Sequence, residues 1–153
     1  MNSLDFSWPE GRAGTLTTSW DDGAIHDRRL IGILNQHGVK GTWNLNSGRL
    51  AGPGSPTVGQ VVAADEVRTL YAGHEVACHS VTHPCLDRIP EEAVAAEILE
   101  DRRTLEGLVG YPVKGMALPN GAYNRRVLAI LRDCGMLYVR PVIHRPDFGL
   151  PGA

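Results

Sequence analysis

The sequence predicts an α/β protein built on one parallel sheet. Two observations carry this expectation. Short runs of β-branched and apolar residues alternate with segments of helical periodicity, in the order β-α-β-α-β-α-β-α-β. Each strand-like run also ends on polar residues, several of them able to bind a metal. Strict alternation means parallel strands joined by right-handed helical crossovers. Two closures satisfy the pattern, an open doubly wound sheet and a (β/α) barrel. In both, functional residues gather at the C-terminal ends of the strands.

The elements follow in order. Residues 14–20, "GTLTTSW", alternate and are rich in Thr, so they read as a strand. Residues 25–38 carry apolar side chains at 25, 30, 31, 33 and 34 and end on Gly38, the pattern of a helix with a glycine C-cap. "KGTWNLN" (40–46) is the second strand. A loop dense in Gly and Pro follows, then a helix over 63–72 ending at Gly73. "EVAC" (75–78) is the third strand. Residues 90–110 form the clearest helix, with Pro90 at its start, acids in its first turn and Gly107 or Gly110 closing it. "VKGMAL" (113–118) is the fourth strand, 124–135 a helix capped by Asn124 and Gly135, and "MLYVRPV" (136–142) the fifth strand.

The chain is one domain in length, with a core over about residues 14–140. A net charge of -2 and no Lys/Arg cluster argue against nucleic acid and anionic membranes as partners. No stretch approaches the roughly 18 apolar residues of a membrane span. The N-terminus lacks a basic segment followed by an apolar run, which predicts a cytoplasmic protein, although a mature secreted chain would read the same. Three cysteines, Cys78, Cys85 and Cys134, without a CxxC pair argue against a disulfide framework.

The strand ends hold the chemistry. Asp21-Asp22-Gly23 follow the first strand and Asn44-Leu45-Asn46 the second. The 79–83 segment, with His79, Ser80, Thr82 and His83, follows the third; Pro119-Asn120-Gly121 follow the fourth; Arg140 and His144 follow the fifth. His79 and His83 stand at i, i+4, which on a helical turn aims both imidazoles to one side. Two histidines and one carboxylate leave a coordination position open for water, as in catalytic zinc or non-haem iron sites. Asp21 and Asp22 admit a second reading, N-capping of the next helix. That reading employs one aspartate and leaves the other without a task. Ser80 and Thr82 read as residues that orient the ligand turn. Trp20 and Trp43 lie near the rim, where core packing competes with stacking on a sugar.

With these residues in view, the chain resembles the polysaccharide deacetylase family, the NodB-homology domain of carbohydrate esterase family 4. Ser19-Trp20-Asp21-Asp22-Gly23 is similar to that family's T-F-D-D-G motif. "GHEVACHSVTH" (73–83) is similar to G-H-E-I-x-x-H-[ST]-x-x-H, and "ALPNGAYN" (117–124) to a variant of R-x-P-x-G. The resemblance implies a deformed or incomplete (β/α) barrel. It implies one divalent metal ion, usually Zn2+, with Co2+, Ni2+ or Mn2+ as alternatives, held by Asp22, His79 and His83. It implies Asp21 as general base and hydrolysis of an acetyl group from an N- or O-acetylated carbohydrate. The backbone of the third motif can offer an N–H to the developing oxyanion, and the resemblance points to the amide of Asn120 for this.

Two departures stand out. Ala117 occupies the place of the third motif's arginine, which in the family orients the catalytic Asp. The chain also ends soon after the fifth strand, which predicts missing βα units and an open sheet edge, hence either a truncated deacetylase or one completed by pairing with another copy of the chain. His144, in "VIH" (142–144), is the one candidate for the family's late acid histidine. These departures motivate two rival readings: a catalytically weak metal- or glycan-binding domain, and an amidohydrolase of the same fold acting on a non-sugar C–N bond.

Overall fold

The computed structural model describes Gly11 and residues 16–52 and 61–142. Five strands, β1 (Ser19–Asp21), β2 (Thr42–Leu45), β3 (Glu75–Cys78), β4 (Gly115–Ala117) and β5 (Tyr138–Arg140), form one sheet. The order is β1-β2-β3-β4-β5 and every pairing is parallel. A doubly wound sheet reverses its strand order at a switch point. Here the order never reverses, so the sheet curls one way into a half-barrel. The expected incomplete (β/α) barrel is the observed architecture. Among the described residues four α-helices alternate with the strands: α1 (Asp27–Gln36), α2 (Val67–Leu70), α3 (Glu91–Val109) and α4 (Arg125–Asp133).

The period-2 alternation of each strand sorts side chains between two faces. Trp43, Leu45, Val76, Cys78, Met116 and Val139 face outward and pack with Ile31, Val94, Ile98, Leu105, Val127 and Leu131 of the helices. The concave face carries small and polar residues instead. Thr42 donates to Glu75 at 2.7 Å, and Asn44 donates to both Ser19 and Asp21 at 2.9 Å. Gly115 must be glycine, because a Cβ there would lie 1.9 Å from the Tyr138 ring. Burying bulk outside and polar groups inside leaves the concavity free for chemistry.

Several boundaries differ from the sequence reading. The first strand runs Ser19–Asp21, so Asp21 is its last residue, and residues 14–15 of the expected strand lie outside the described residues. The helix expected over 63–72 is a 3-10 turn, Ala64–Glu66, followed by one turn of α2, and Glu66 folds back to accept the Ala63 N–H at 3.2 Å. The fifth strand stops at Arg140, where Pro141 has no N–H to offer a ladder. Gly110, left-handed at φ 82°, closes α3, and Gly107 lies within it. Asn124 caps α4 as expected, its Oδ1 accepting the Val127 N–H at 3.0 Å. Among the described residues no helix is long and apolar enough to cross a membrane.

Candidate metal centre

The two aspartates of "SWDDG" part company at the end of β1. Asp21 is still in the strand and points into the concavity, where Oδ1 accepts from Asn44 Nδ2 (2.9 Å) and from the Arg140 guanidinium. Asp22 turns out of the strand at φ 75° while its N–H stays bonded to the Asn44 carbonyl at 3.0 Å. Its Oδ1 then lies 3.8 Å from His79 Nε2 and 3.7 Å from His83 Nε2. Neither aspartate caps α1: the cap residue is His26, with no side-chain cap bond. The capping alternative is therefore set aside.

The 79–83 segment departs from expectation. The i, i+4 pair does not ride on a helical turn. Ser80 and His83 are both left-handed at φ 64°, and this irregular loop brings the rings together, edge to face, 4.8 Å between centroids. Side chains from three neighbours hold it. Ser80 Oγ accepts the His83 N–H at 3.1 Å. Asn46 Nδ2 donates to the carbonyls of His79 and Ser80. Thr82 donates its N–H (2.8 Å) and hydroxyl (2.7 Å) to Glu97 of α3. One turn further along α3, the fully buried Asp101 accepts the Ser47 N–H at 2.8 Å and shares the His79 N–H with Leu45, at 3.0 Å. Burial pushes the Asp101 carboxyl up to about 6 against the pull of these donors.

Among the described residues, the left-handed non-glycine positions are Asp22, Ser80, His83 and Asn120. All four lie on the loops at the C-terminal ends of strands. Each such conformation costs about 1 kcal/mol or more and persists where its surroundings enforce it, which marks functional loops. Gly48 shows how tight the enforcement is. A Cβ there would sit 2.7 Å from the Val81 carbonyl oxygen. Gly48→Ala is expected to displace the 79–83 loop, costing about 1–3 kcal/mol as an overpacked site; thermal melts and a zinc titration of the variant check this.

Asp22, His79 and His83 each offer one ligand atom, and these atoms all lie within 4.8 Å of one another. Two ligands on a tetrahedral zinc stand about 3.3 Å apart, so small side-chain adjustments suffice. The tautomer also fits. His79 Nδ1–H is spent on the Ala117 carbonyl at 2.9 Å, which leaves the Nε2 lone pair for a metal. Burial holds this imidazole below its ordinary pKa, with the Ala117 bond opposing only in part. The ring is thus kept neutral, the form that binds a cation.

The remaining candidates fall as follows. Asn120 sits exposed in the 3-10 turn Pro119–Gly121 at φ 56°, its Nδ2 3.5 Å from Cys85 Sγ. Arg140 points into the concavity beside Asp21. His144 lies outside the described residues. Cys78 is buried in the core, and Trp43 is fully buried with Trp20 stacked on it at 6.3 Å. His74 is structural, accepting the Gly41 N–H at 3.1 Å. Sequence reasoning missed Glu97 and Asp101. Both belong to a charged helix whose acids look solvated, and only their i, i+4 spacing hints at a shared face.

A half-barrel with an Asp-His-His constellation at its strand ends defines an α/β scaffold with a candidate metal centre. The model of the polysaccharide deacetylase family matches residues 9–139, and the chain belongs to that family. It is similar to a chitooligosaccharide deacetylase of Bradyrhizobium sp. (strain ANU 289), at 28% identity over 80% of this chain and 52% of that protein. It is also similar to one of Sinorhizobium fredii (strain NBRC 101917 / NGR234), at 26% identity over 99% and 70%. Solved structures of like fold include a Streptococcus pyogenes deacetylase in complex with acetate, with a TM-score of 0.69 and 22% identity over 77% of this chain and 51% of that one. A family 4 pseudoenzyme from Bacillus anthracis superposes with a TM-score of 0.67 and 21% identity over 81% and 42%. The chain thus spans about half the length of several proteins it matches.

Proposed function

We propose that this chain is a metal-dependent deacetylase acting on an acetylated oligosaccharide. The observation that carries the reading is the convergence of Asp22, His79 and His83 beside Asp21 at one rim of the half-barrel. Asp22, His79 and His83 would hold the divalent ion. Their N2O donor set and the open position suit Zn2+ best, with Co2+, Ni2+ or Mn2+ as alternatives. When bound, such an ion supplies Lewis acidity toward water and the acetyl carbonyl.

The chain's own residues account for the rest. Asp21 takes the proton of the attacking water as general base. Its described donors converge on Oδ1, which steadies the carboxylate and keeps lone pairs on Oδ2 for that proton. The backbone N–H of Asn120, in a left-handed turn at the end of β4, serves the oxyanion. The rhizobial relatives' names support an acetylated chitooligosaccharide as the first substrate to try.

The test pairs a zinc titration with an assay of acetate release from acetylated chitooligosaccharides. Tight, roughly equimolar zinc binding with zinc-dependent acetate release is expected. Protein that binds no divalent ion sinks the proposal. Ala117, in the place of the motif arginine, favours a second reading, a metal- or glycan-binding domain without turnover. Zinc binding without acetate release from any substrate in a broad panel selects that one.

A further inference from the structure

We propose that Arg140 is the positioning residue for Asp21, delivered from β5 to the opposite edge of the sheet. The inference rests on the reading of Asp21 as general base. In strand order β1 and β5 are the two edges, and Asp21 and Arg140 are 119 residues apart in sequence. The curl of the sheet nonetheless brings them into contact. Arg140 Nη2 donates to Asp21 Oδ1. Its Nε donates to Ser19 Oγ at 3.0 Å. Asn44, the in-register neighbour of Asp21 on β2, donates to the same two groups at 2.9 Å each and to the Trp20 carbonyl at 3.1 Å. Ser19, Asp21, Asn44 and Arg140 thus form a closed network across the mouth of the half-barrel.

The network is specific to arginine. A guanidinium presents several N–H donors in a rigid plane, so one side chain can serve a hydroxyl on β1 and the carboxylate two residues further along at once. An ammonium is a single point and cannot span both. The backbone explains why the cation comes from position 140. Ala117 and Arg140 are paired Cα partners on β4 and β5, so their side chains share the concave face. A small residue at 117, itself fully buried, leaves that face open to the longer side chain of its neighbour. The pair is about one-third exposed on each side, 34% for Arg140 and 30% for Asp21. An ion pair so open to water adds little to stability. Its consequence is orientation: the carboxylate is turned by two convergent donors, from Asn44 and Arg140, while one oxygen stays unengaged by them.

Kinetics on the zinc-loaded protein with acetylated chitooligosaccharide test this. Arg140→Ala is expected to lower kcat by about 10–100-fold, the scale of losing an orienting partner. KM, zinc affinity and the melting temperature should stay near wild type. Arg140→Lys should recover little, and millimolar guanidinium added to Arg140→Ala should restore part of kcat. Unchanged kcat in Arg140→Ala, or a loss matched by lost zinc affinity or unfolding, overturns the proposal. If the wild-type chain releases no acetate, the deacetylase reading fails on its own. The positioning claim is then decided by the crystal structure of Arg140→Ala. Rotation of the Asp21 carboxylate away from its wild-type direction supports it, and an unmoved carboxylate overturns it.

Discussion

Asp22→Ala is expected to weaken zinc binding by more than about a hundredfold and to reduce acetate release to background. Perturbing an outer-shell partner of a metal ligand already costs about 10–100-fold, and this change removes a ligand outright. Asp22 Oδ1 stands 3.8 and 3.7 Å from the two Nε2 atoms, so among the described residues it is the anionic group that pairs with both imidazoles. Two neutral histidines alone make a weak site for a divalent cation. Little of the effect should come from folding. The Asp22 side chain is about half exposed, and its pairing with Arg49 at 3.4 Å is solvent-screened. Its left-handed backbone is a confounder, since Ala tolerates φ 75° less well than Asp does. Asp22→Asn removes that confounder: it keeps the backbone preference and an oxygen but loses the charge, and should bind zinc at an intermediate level. The readout is thermal. A ligand that binds only the folded state raises the melting temperature as its concentration exceeds Kd. Wild type should show this rise with zinc, and Asp22→Ala should show none. A full zinc-dependent rise in Asp22→Ala would remove the metal centre from consideration.

The parts legible in the sequence were those written in local pattern. β3 falls on 75–78 as read, and α3 within one residue of its expected ends at both termini, because apolar runs, first-turn acids and a closing glycine are all local signals. His79, His83 and the Asp21-Asp22 pair were legible as neighbours because parallel strands must deliver their C-terminal residues to one rim; the family resemblance singled out Asp22, and the structure brings the ligand atoms of Asp22, His79 and His83 together. What could not be read was how they are delivered. The spacing of His79 and His83 suggested a helical turn, while the real loop depends on two left-handed residues and on Asn46, Glu97 and Asp101, which reach it from other elements. Ala117 read as a loss. The compensating contact comes from Arg140, and no sequence spacing encodes a bond between opposite sheet edges. Which carboxylates face water and which are buried is likewise a tertiary fact: Glu97 and Asp101 look alike in a charged helix, yet Asp101 is fully buried.

Asp101→Asn should therefore have an effect out of proportion to one atom. The carboxylate accepts two backbone N–H groups, from Ser47 after β2 and from His79 after β3. An amide offers one acceptor oxygen, so its NH2 must confront one of those donors in a site closed to water. Losing a charge-assisted bond and stranding a buried donor together cost about 2 kcal/mol. For a domain of this size that lowers the melting temperature by about 5 °C. The same loss leaves the His79 N–H held by the Leu45 carbonyl alone, so zinc affinity should fall by about 10-fold or more. The pH dependence carries a definite sign. Burial raises the Asp101 carboxyl from 3.8 to about 6 in the folded protein. As pH falls through that interval the folded state takes up a proton before the unfolded chain does, and zinc-free wild type gains stability from this group. Asp101→Asn has no such proton to take up. The gap between the two zinc-free melting curves should widen from pH 6 toward pH 4, while a gap that stays constant or narrows would show that Asp101 is not the buried acid that joins α3 to both loops.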